Sequence, residues 1–265
     1  MISGFLVPLD GSTRAEAALG PAGALARRRG VKVELLTVVP SDDDRQALEE
    51  YLSEVGERTS LPLAGREVVV GGDPAEVILQ RAEGVPGTIV CMGTHGHGMV
   101  RRLFLGTVSE VVVRGADRHV LLVGPRCAER LTFGRVTACL DGSSLAERVL
   151  APAAEWAEAL GVPLWLVQAT GGEMPTSRGD LVESAYLQRT ARQVEAEGKV
   201  DVEWDVLHGT DPATVITDHV SGSPGSLVAL TTHGRSGIQR AVLGSVAMQV
   251  AHDATSPLLV LHPRD

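Results

Sequence analysis

Apolar residues along this chain fall into short runs separated by amphipathic stretches, in an order that repeats. Ile2–Leu9 reads as a strand that ends at the turn Asp10-Gly11-Ser12, where the Ser12 hydroxyl is placed to cap a following helix. That helix is predicted to run to about Arg29 and to stop at Gly30, a suitable left-handed terminator. Further strands are predicted at Val31–Val39, Arg66–Val70, Thr88–Met92 and Val120–Val123, with helices at Arg45–Glu57, Pro74–Glu83 and Thr107–Arg114. Val-rich runs such as Val68–Val70 and Val111–Val113 fit strands buried on both faces. Strands alternating with helices give an α/β fold with a doubly wound, five-stranded parallel sheet, and ligands of such sheets bind beyond the carboxyl ends of the strands. Asp10 and Gly93 stand at such ends.

The whole pattern occurs twice. Leu9-Asp10-Gly11-Ser12 returns as Leu140-Asp141-Gly142-Ser143, 131 positions later. Gly71-Gly72-Asp73-Pro74 returns as Gly209-Thr210-Asp211-Pro212, and Thr94-His95-Gly96 as Thr232-His233-Gly234, both 138 positions later. Pro21 matches Pro152, and Val120–Val123 match Leu258–Leu261. About seven extra residues therefore lie between Gly161 and Gly209, close to two helical turns, as a lengthened helix would require. The expected domains are residues 1–126 and 132–265, joined near Arg126–Leu131 by a linker too short to separate them. The last strand of each copy is expected at a sheet edge, where apolar residues invite pairing.

Aromatic residues make up only 3% of the chain, so Val, Leu, Ala and Ile must build the core. The net charge of −9 opposes nucleic-acid backbones and anionic membranes as general partners. Cys91, Cys127 and Cys139 have no C-x-x-C spacing, which argues against a redox or zinc motif, and their odd number argues against a secreted disulfide scaffold. Phe5–Leu9 lead into Asp10 without a signal-peptide pattern, and no apolar run approaches the ~20 residues of a membrane span. A cytoplasmic location is the expectation.

The segment with the most chemistry follows the fourth strand. It runs from Gly93-Thr94-His95-Gly96 to Gly106-Thr107, where a helix opens. Glycines let backbone amides approach a ligand, and a helix N-terminus offers free N–H groups and a favourable dipole to an anion. Phosphate suits both. The dinucleotide fingerprint fails at Arg101, and no G-K-[ST] of a P-loop is present. His95 and His233 occupy matching loop positions and read as exposed loop residues, with contact to phosphate as the alternative. Arg101 and Arg102 fit phosphate neutralisation or a solvated face equally, and Asp42–Asp44 fit a helix N-terminal anchor.

The spacing G-x2-G-x9-G-[ST] on a fourth strand, loop and helix resembles the universal stress protein family, and the likeness covers nearly the whole chain twice. The resemblance implies two tandem Rossmann-like domains of the adenine nucleotide alpha hydrolase type. It also implies a cytoplasmic, ATP-binding stress-response regulator, with Mg²⁺ accompanying ATP and no principal enzymatic role. Carried over by motif, the ATP contacts fall on Asp10, Val38, Gly93, Gly96, Gly106, Thr107 and Val108 in the first copy. In the second they fall on Asp141, Ala169, Gly234, Gly244, Ser245 and Val246. Asp10 would lie near ribose and phosphates, or serve only as a turn aspartate; Val38 would meet adenine through its backbone, or be plain core strand. Thr231 replaces the first loop glycine of the second copy; it would be strained if that position required φ > 0 and would crowd a closely approaching ligand, so ATP is expected to bind more strongly in the first copy. In the family the last strand pairs domains, which implies an internal pseudo-dimer here and a possible homodimer, with protein partners unknown. The alternatives are a slow ATPase or phosphotransferase and a nucleotide-independent protein-interaction module.

Overall fold

The computed structural model describes residues 2–94, 105–128, 131–171, 179–198, 200–223, 225–231 and 243–261. The chain divides into two compact units, Met1–Leu131 and Thr132–Asp265.

In the first unit the strands are β1 Gly4–Pro8, β2 Lys32–Val39, β3 Leu63–Val70, β4 Thr88–Gly93 and β5 Val120–Val123. The helices are α1 Thr13–Glu16, α2 Leu19–Arg29, α3 Arg45–Thr59, α4 Pro74–Gly84 and α5 Thr107–Gly115. The strand order is β3-β2-β1-β4-β5 and the described pairings are all parallel. The chain builds outward from β1 to β3, then crosses back to β4 on the other side of β1. That reversal is the switch point of a doubly wound sheet.

The second unit repeats the plan with β6 Arg135–Leu140, β7 Leu164–Thr170, β8 Val202–His208, β9 Ser226–Thr231 and β10 Leu258–Leu261. Its helices are α6 Ser144–Glu147, α7 Leu150–Leu160, α8 Gly179–Glu197, α9 Pro212–Ser221 and α10 Ser245–Asp253. Its order is β8-β7-β6-β9-β10, again parallel. The central strands carry the cores: Leu6, Val7, Leu35, Val136, Ala138 and Leu166 are fully buried. So are all four residues of β5 and of β10, each the last strand in its unit's order.

Three sequence expectations need correction. The predicted first helix is two helices, broken at Ala17–Ala18. Proline lacks an N–H and clashes with the carbonyl four residues earlier, so Pro21 would have interrupted one continuous helix. The break puts Pro21 in the first turn of α2, where no intrahelical donor is needed. Pro152 in α7 has the same effect on α6. Val111–Val113 lie in α5, in agreement with the helix predicted over Thr107–Arg114 and against the strand-like reading of their run; burial of Ser109, Val112 and Val113 on one helix face overrides β-branched preference. Strand β3 starts at Leu63, before the predicted Arg66, because a register shift opposite Val33 and Glu34 carries it past Gly65. The insertion of the second copy is shared: α8 has 19 residues against 15 in α3, and the remainder falls between Thr170 and Gly179.

Among the described residues, no helix is long and apolar enough to cross a membrane, and no group of three or more His, Cys, Asp or Glu could hold a metal ion.

Candidate functional site

Each copy presents the same turn beyond its central strand. Gly11, with φ +82°, reverses the chain after β1. Asp10 Oδ1 then accepts from the Ser12 amide at 3.0 Å and the Ser12 hydroxyl at 2.6 Å. Ser12 Oγ in turn accepts from the Ala15 amide at 3.1 Å and caps α1. In the second copy Gly142 has φ +79°, Asp141 Oδ1 accepts from Ser143 N and Oγ at 2.9 and 2.6 Å, and Ser143 caps α6. One carboxylate oxygen of each aspartate thus holds its turn.

Register brings the other residues alongside. Pro8 pairs with Leu36 and Leu6 with Val90, so chain continuing past β1 sets Asp10 level with Val38 and with the end of β4 at Gly93. Leu140 pairs with Gln168 and Ala138 with Ala229, which sets Asp141 level with Ala169 and with the end of β9 at Thr231. After β4 the chain is tied down at several points. Thr94 N donates to Val123 O at 3.0 Å, Gly106 N to Thr94 O at 2.8 Å, and Ser109 Oγ to Gly93 O at 3.0 Å.

Helices α5 and α10 open differently from their neighbours. The N-caps of α1, α4, α6 and α9 are Ser12, Asp73, Ser143 and Asp211, whose side chains accept first-turn amides. Those of α5 and α10 are Gly106 and Gly244, which have no side chain to do so. The amides of Thr107 and Val108, and of Ser245 and Val246, begin those helices and are available in principle to an anion. Gly96 and Gly234 lie outside the described residues, as do His95, Arg101, Arg102 and His233.

The reason for glycine differs from the sequence expectation. Gly106 and Gly244 have φ −60°, and neither Gly93 nor Thr231 has positive φ. Their backbones are open to any L residue, so Thr231 is unstrained at the end of β9. What glycine contributes at 106 and 244 is the missing side chain.

In the second unit these residues surround a cavity of about 520 Å³, within the range of small-molecule sites. Asp141, Ala169, Thr231, Gly244, Ser245 and Val246 all line it. Sequence reasoning missed two further wall residues, Gln168 and Glu183. Gln168 is 5% exposed, and its Oε1 and Glu183 Oε2 are both buried without a hydrogen-bond partner. A signal for Gln168 was present: it is the polar interruption of the apolar run Leu164–Val167. Cys139 also lines the cavity, but burial pushes its thiol up to about 12 and keeps it protonated rather than nucleophilic.

A model of the Universal stress protein family matches residues 1–124 and 132–262. A universal stress protein of Thermus aquaticus is 37% identical over 136 residues, covering 46% of this chain and 99% of that relative. One from Mycobacterium tuberculosis is 30% identical over 185 residues, and the match spans 65% of this chain but only 61% of the relative. Among solved structures, a universal stress protein from Archaeoglobus fulgidus has the same fold over 98% of both chains, with a TM-score of 0.73 and 22% identity. The chain belongs to the universal stress protein family, as a tandem of two such domains.

Proposed function

We propose that this chain is a cytoplasmic stress-response regulator that binds ATP, with Mg²⁺, and signals through nucleotide occupancy rather than turnover. One observation carries the reading: at each sheet's switch point a helix begins at an uncapped glycine beside an aspartate turn, and in the second unit that arrangement encloses a cavity of about 520 Å³. The chain's charge of −9 works against ATP as a whole, so attraction for phosphate must be local. A helix N-terminus supplies about 0.3–1 kcal/mol per anionic group, more when partly buried. Asp141 and Glu183 on the cavity wall would repel a bare triphosphate, which is why the metal-bound form is proposed. The bound ligand would order the neighbouring loops and shift a protein-protein surface between two populations.

Native mass spectrometry of the freshly purified chain tests this directly, because it counts bound nucleotides and subunits together. One or two adenine nucleotides per chain are expected; none bound, and none taken up from added MgATP, overturns the proposal. Titration calorimetry then ranks the copies. Gly96→Arg is expected to abolish the tighter site and Gly234→Arg the weaker one, and the opposite ranking refutes the asymmetry. Sustained ATP turnover lost in Asp10→Ala would move the protein to the enzyme class.

A further inference from the structure

Right-handed crossovers put α7 and α8 on one face of the second sheet. They touch each other far less than α9 and α10 do, and a groove of about 550 Å³ remains between them. Leu150 and Ala154 of α7, Val194 of α8 and Val200 just beyond it give the groove an apolar floor. Around that floor stand Glu155 and Glu158 of α7, Glu197 of α8 and Glu147 of α6, all exposed. Among the described residues lining the groove, Arg189 is the one cation.

The carboxylates stand where helix electrostatics opposes them. Carbonyl groups at a helix C-terminus carry partial negative charge, which favours lysine or arginine in the last turn. Neither α7 nor α8 has a basic residue there, and Glu158 and Glu197 occupy those turns instead. The first copy follows the rule: α2 ends in Arg27, Arg28 and Arg29, and Arg58 lies in the last turn of α3. Glu155 and Glu158 are the equivalents of Ala24 and Arg27, 131 positions on. Packing differs as well. Leu61, just after α3, lies directly against Gly23, the equivalent of Ala154, with its Cδ2 2.5 Å from where a Cβ would stand. A filled, basic gap in the first copy is thus an open, acidic groove in the second. Residues 132–265 hold 16 Asp and Glu against 9 Lys and Arg, which is −7 of the chain's −9. Two helices that break the same local rule at the rim of one groove point to a use for that groove.

Acidic walls over an apolar floor call for a ligand that is both cationic and apolar. The walls are helices, whose amides are already bonded within each helix, so an extended peptide finds no strand edge to pair with. A helical peptide brings its own backbone bonds and sets an apolar row between charged flanks. We propose that the groove between α7 and α8 docks a basic amphipathic helix of a partner protein. Its apolar row lies on Leu150, Ala154 and Val194, and its Lys and Arg residues meet Glu155, Glu158 and Glu197. The groove shares no lining residue with the cavity of about 520 Å³, so the inference does not depend on nucleotide binding.

The test uses the full chain and a fluorescein-labelled amphipathic helix of leucine and lysine, about 18 residues or five turns long. Anisotropy measures binding, and a benzophenone on the peptide maps the contact. Saturable binding that weakens as salt rises is expected, with cross-links in α7 and α8. A scrambled peptide of the same composition, with no apolar face, should bind at least about tenfold more weakly. The double variant Glu155→Gln, Glu158→Gln should also weaken binding at least about tenfold. Its unfolding midpoint should stand at or above that of the unaltered chain, because the change relieves the end of α7, and this separates lost docking from lost folding. Ala154→Leu fills the groove without altering charge and should weaken binding to a similar degree. Cross-links confined to other segments, equal binding of the scrambled peptide, or undiminished binding in either variant overturns the proposal. Displacement of the helix by an equal concentration of spermidine would make the groove a site for small cations and overturns it too.

Discussion

At matching places on the two copies, the same three positions hold different chemistry. In the first, Arg81 of α4 pairs with Glu34 of β2 and, at 3.0 Å, with Glu67 of β3. In the second, those positions are His219, Trp165 and Asp205. The rings of His219 and Trp165 lie 5.7 Å apart, His219 Nδ1 is 3.9 Å from Asp205, and Arg135 stacks on Trp165 at 4.4 Å. A solvent-facing ion triad has become a half-buried aromatic cluster. The aspartate turns, by contrast, keep their bonding to within about a tenth of an ångström. The duplicated chain has preserved the geometry at the carboxyl ends of its strands and let the helix–sheet contacts beside them drift.

The sharpest way to break this comparison is through the cores. Leu35→Ala and Leu166→Ala remove equivalent, fully buried side chains, and each is expected to cost about 2–5 kcal/mol. Every tryptophan is in the second unit, so fluorescence follows that unit while circular dichroism follows both. If the copies unfold independently, Leu166→Ala lowers the fluorescence midpoint and Leu35→Ala does not. Coincident shifts for both variants would show one cooperative unit.

A smaller effect tests the preserved turns. Ser12→Ala and Ser143→Ala each remove a helix cap and a hydroxyl donor to the aspartate, and each should cost about 1 kcal/mol. Denaturant midpoints that differ by much more than that between the two variants would show that the turns are alike in geometry alone.

The smallest effect is the one most specific to the drifted cluster. Burial, followed by the charge of Arg135, lowers the pKa of His219 below its usual 6.5, against an opposing pull from Asp205. The unfolded chain then holds more proton than the folded one just below that value. Stability from this group is complete above about pH 6.5 and declines as pH falls toward the folded pKa. Arg81 remains charged throughout that range. Fluorescence-detected stability should therefore drop between pH 7 and 5.5, and His219→Phe should flatten the slope while Arg81→Met leaves it unchanged. A slope that survives His219→Phe assigns it to another group.

Much of this was legible in the sequence because the responsible physics is local. Asp-Gly-Ser turns, Asp-Pro helix starts and Gly30 as a terminator act over a few residues, and the duplication displayed each of them twice. The break at Ala17–Ala18 was legible in principle from Pro21, but an Ala- and Leu-rich stretch hid it. Val111–Val113 misled because burial on α5 overrode the preference of three β-branched residues. Gln168 and Glu183 are far apart in the chain, and only packing of α8 beside β7 brings them to one cavity. Gln168 left a signal as the polar residue closing an apolar run, but that Glu183 joins it on one wall is a tertiary property with no sequence signature.

The bond from Gly106 N to Thr94 O has a consequence for how such a protein can change. It fixes both ends of the segment between those residues to the body of the domain, whatever that segment contains. Lengthening a chain between fixed ends costs only about 0.6 kcal/mol per doubling, so loop closure by itself sets little limit on the segment's length. The bonded ends can be regarded as a mount and the sequence between them as a cassette. Residues 95–105 and 233–243 are equal in length, and exchanging them between the copies would separate what the cassette specifies from what the mount does.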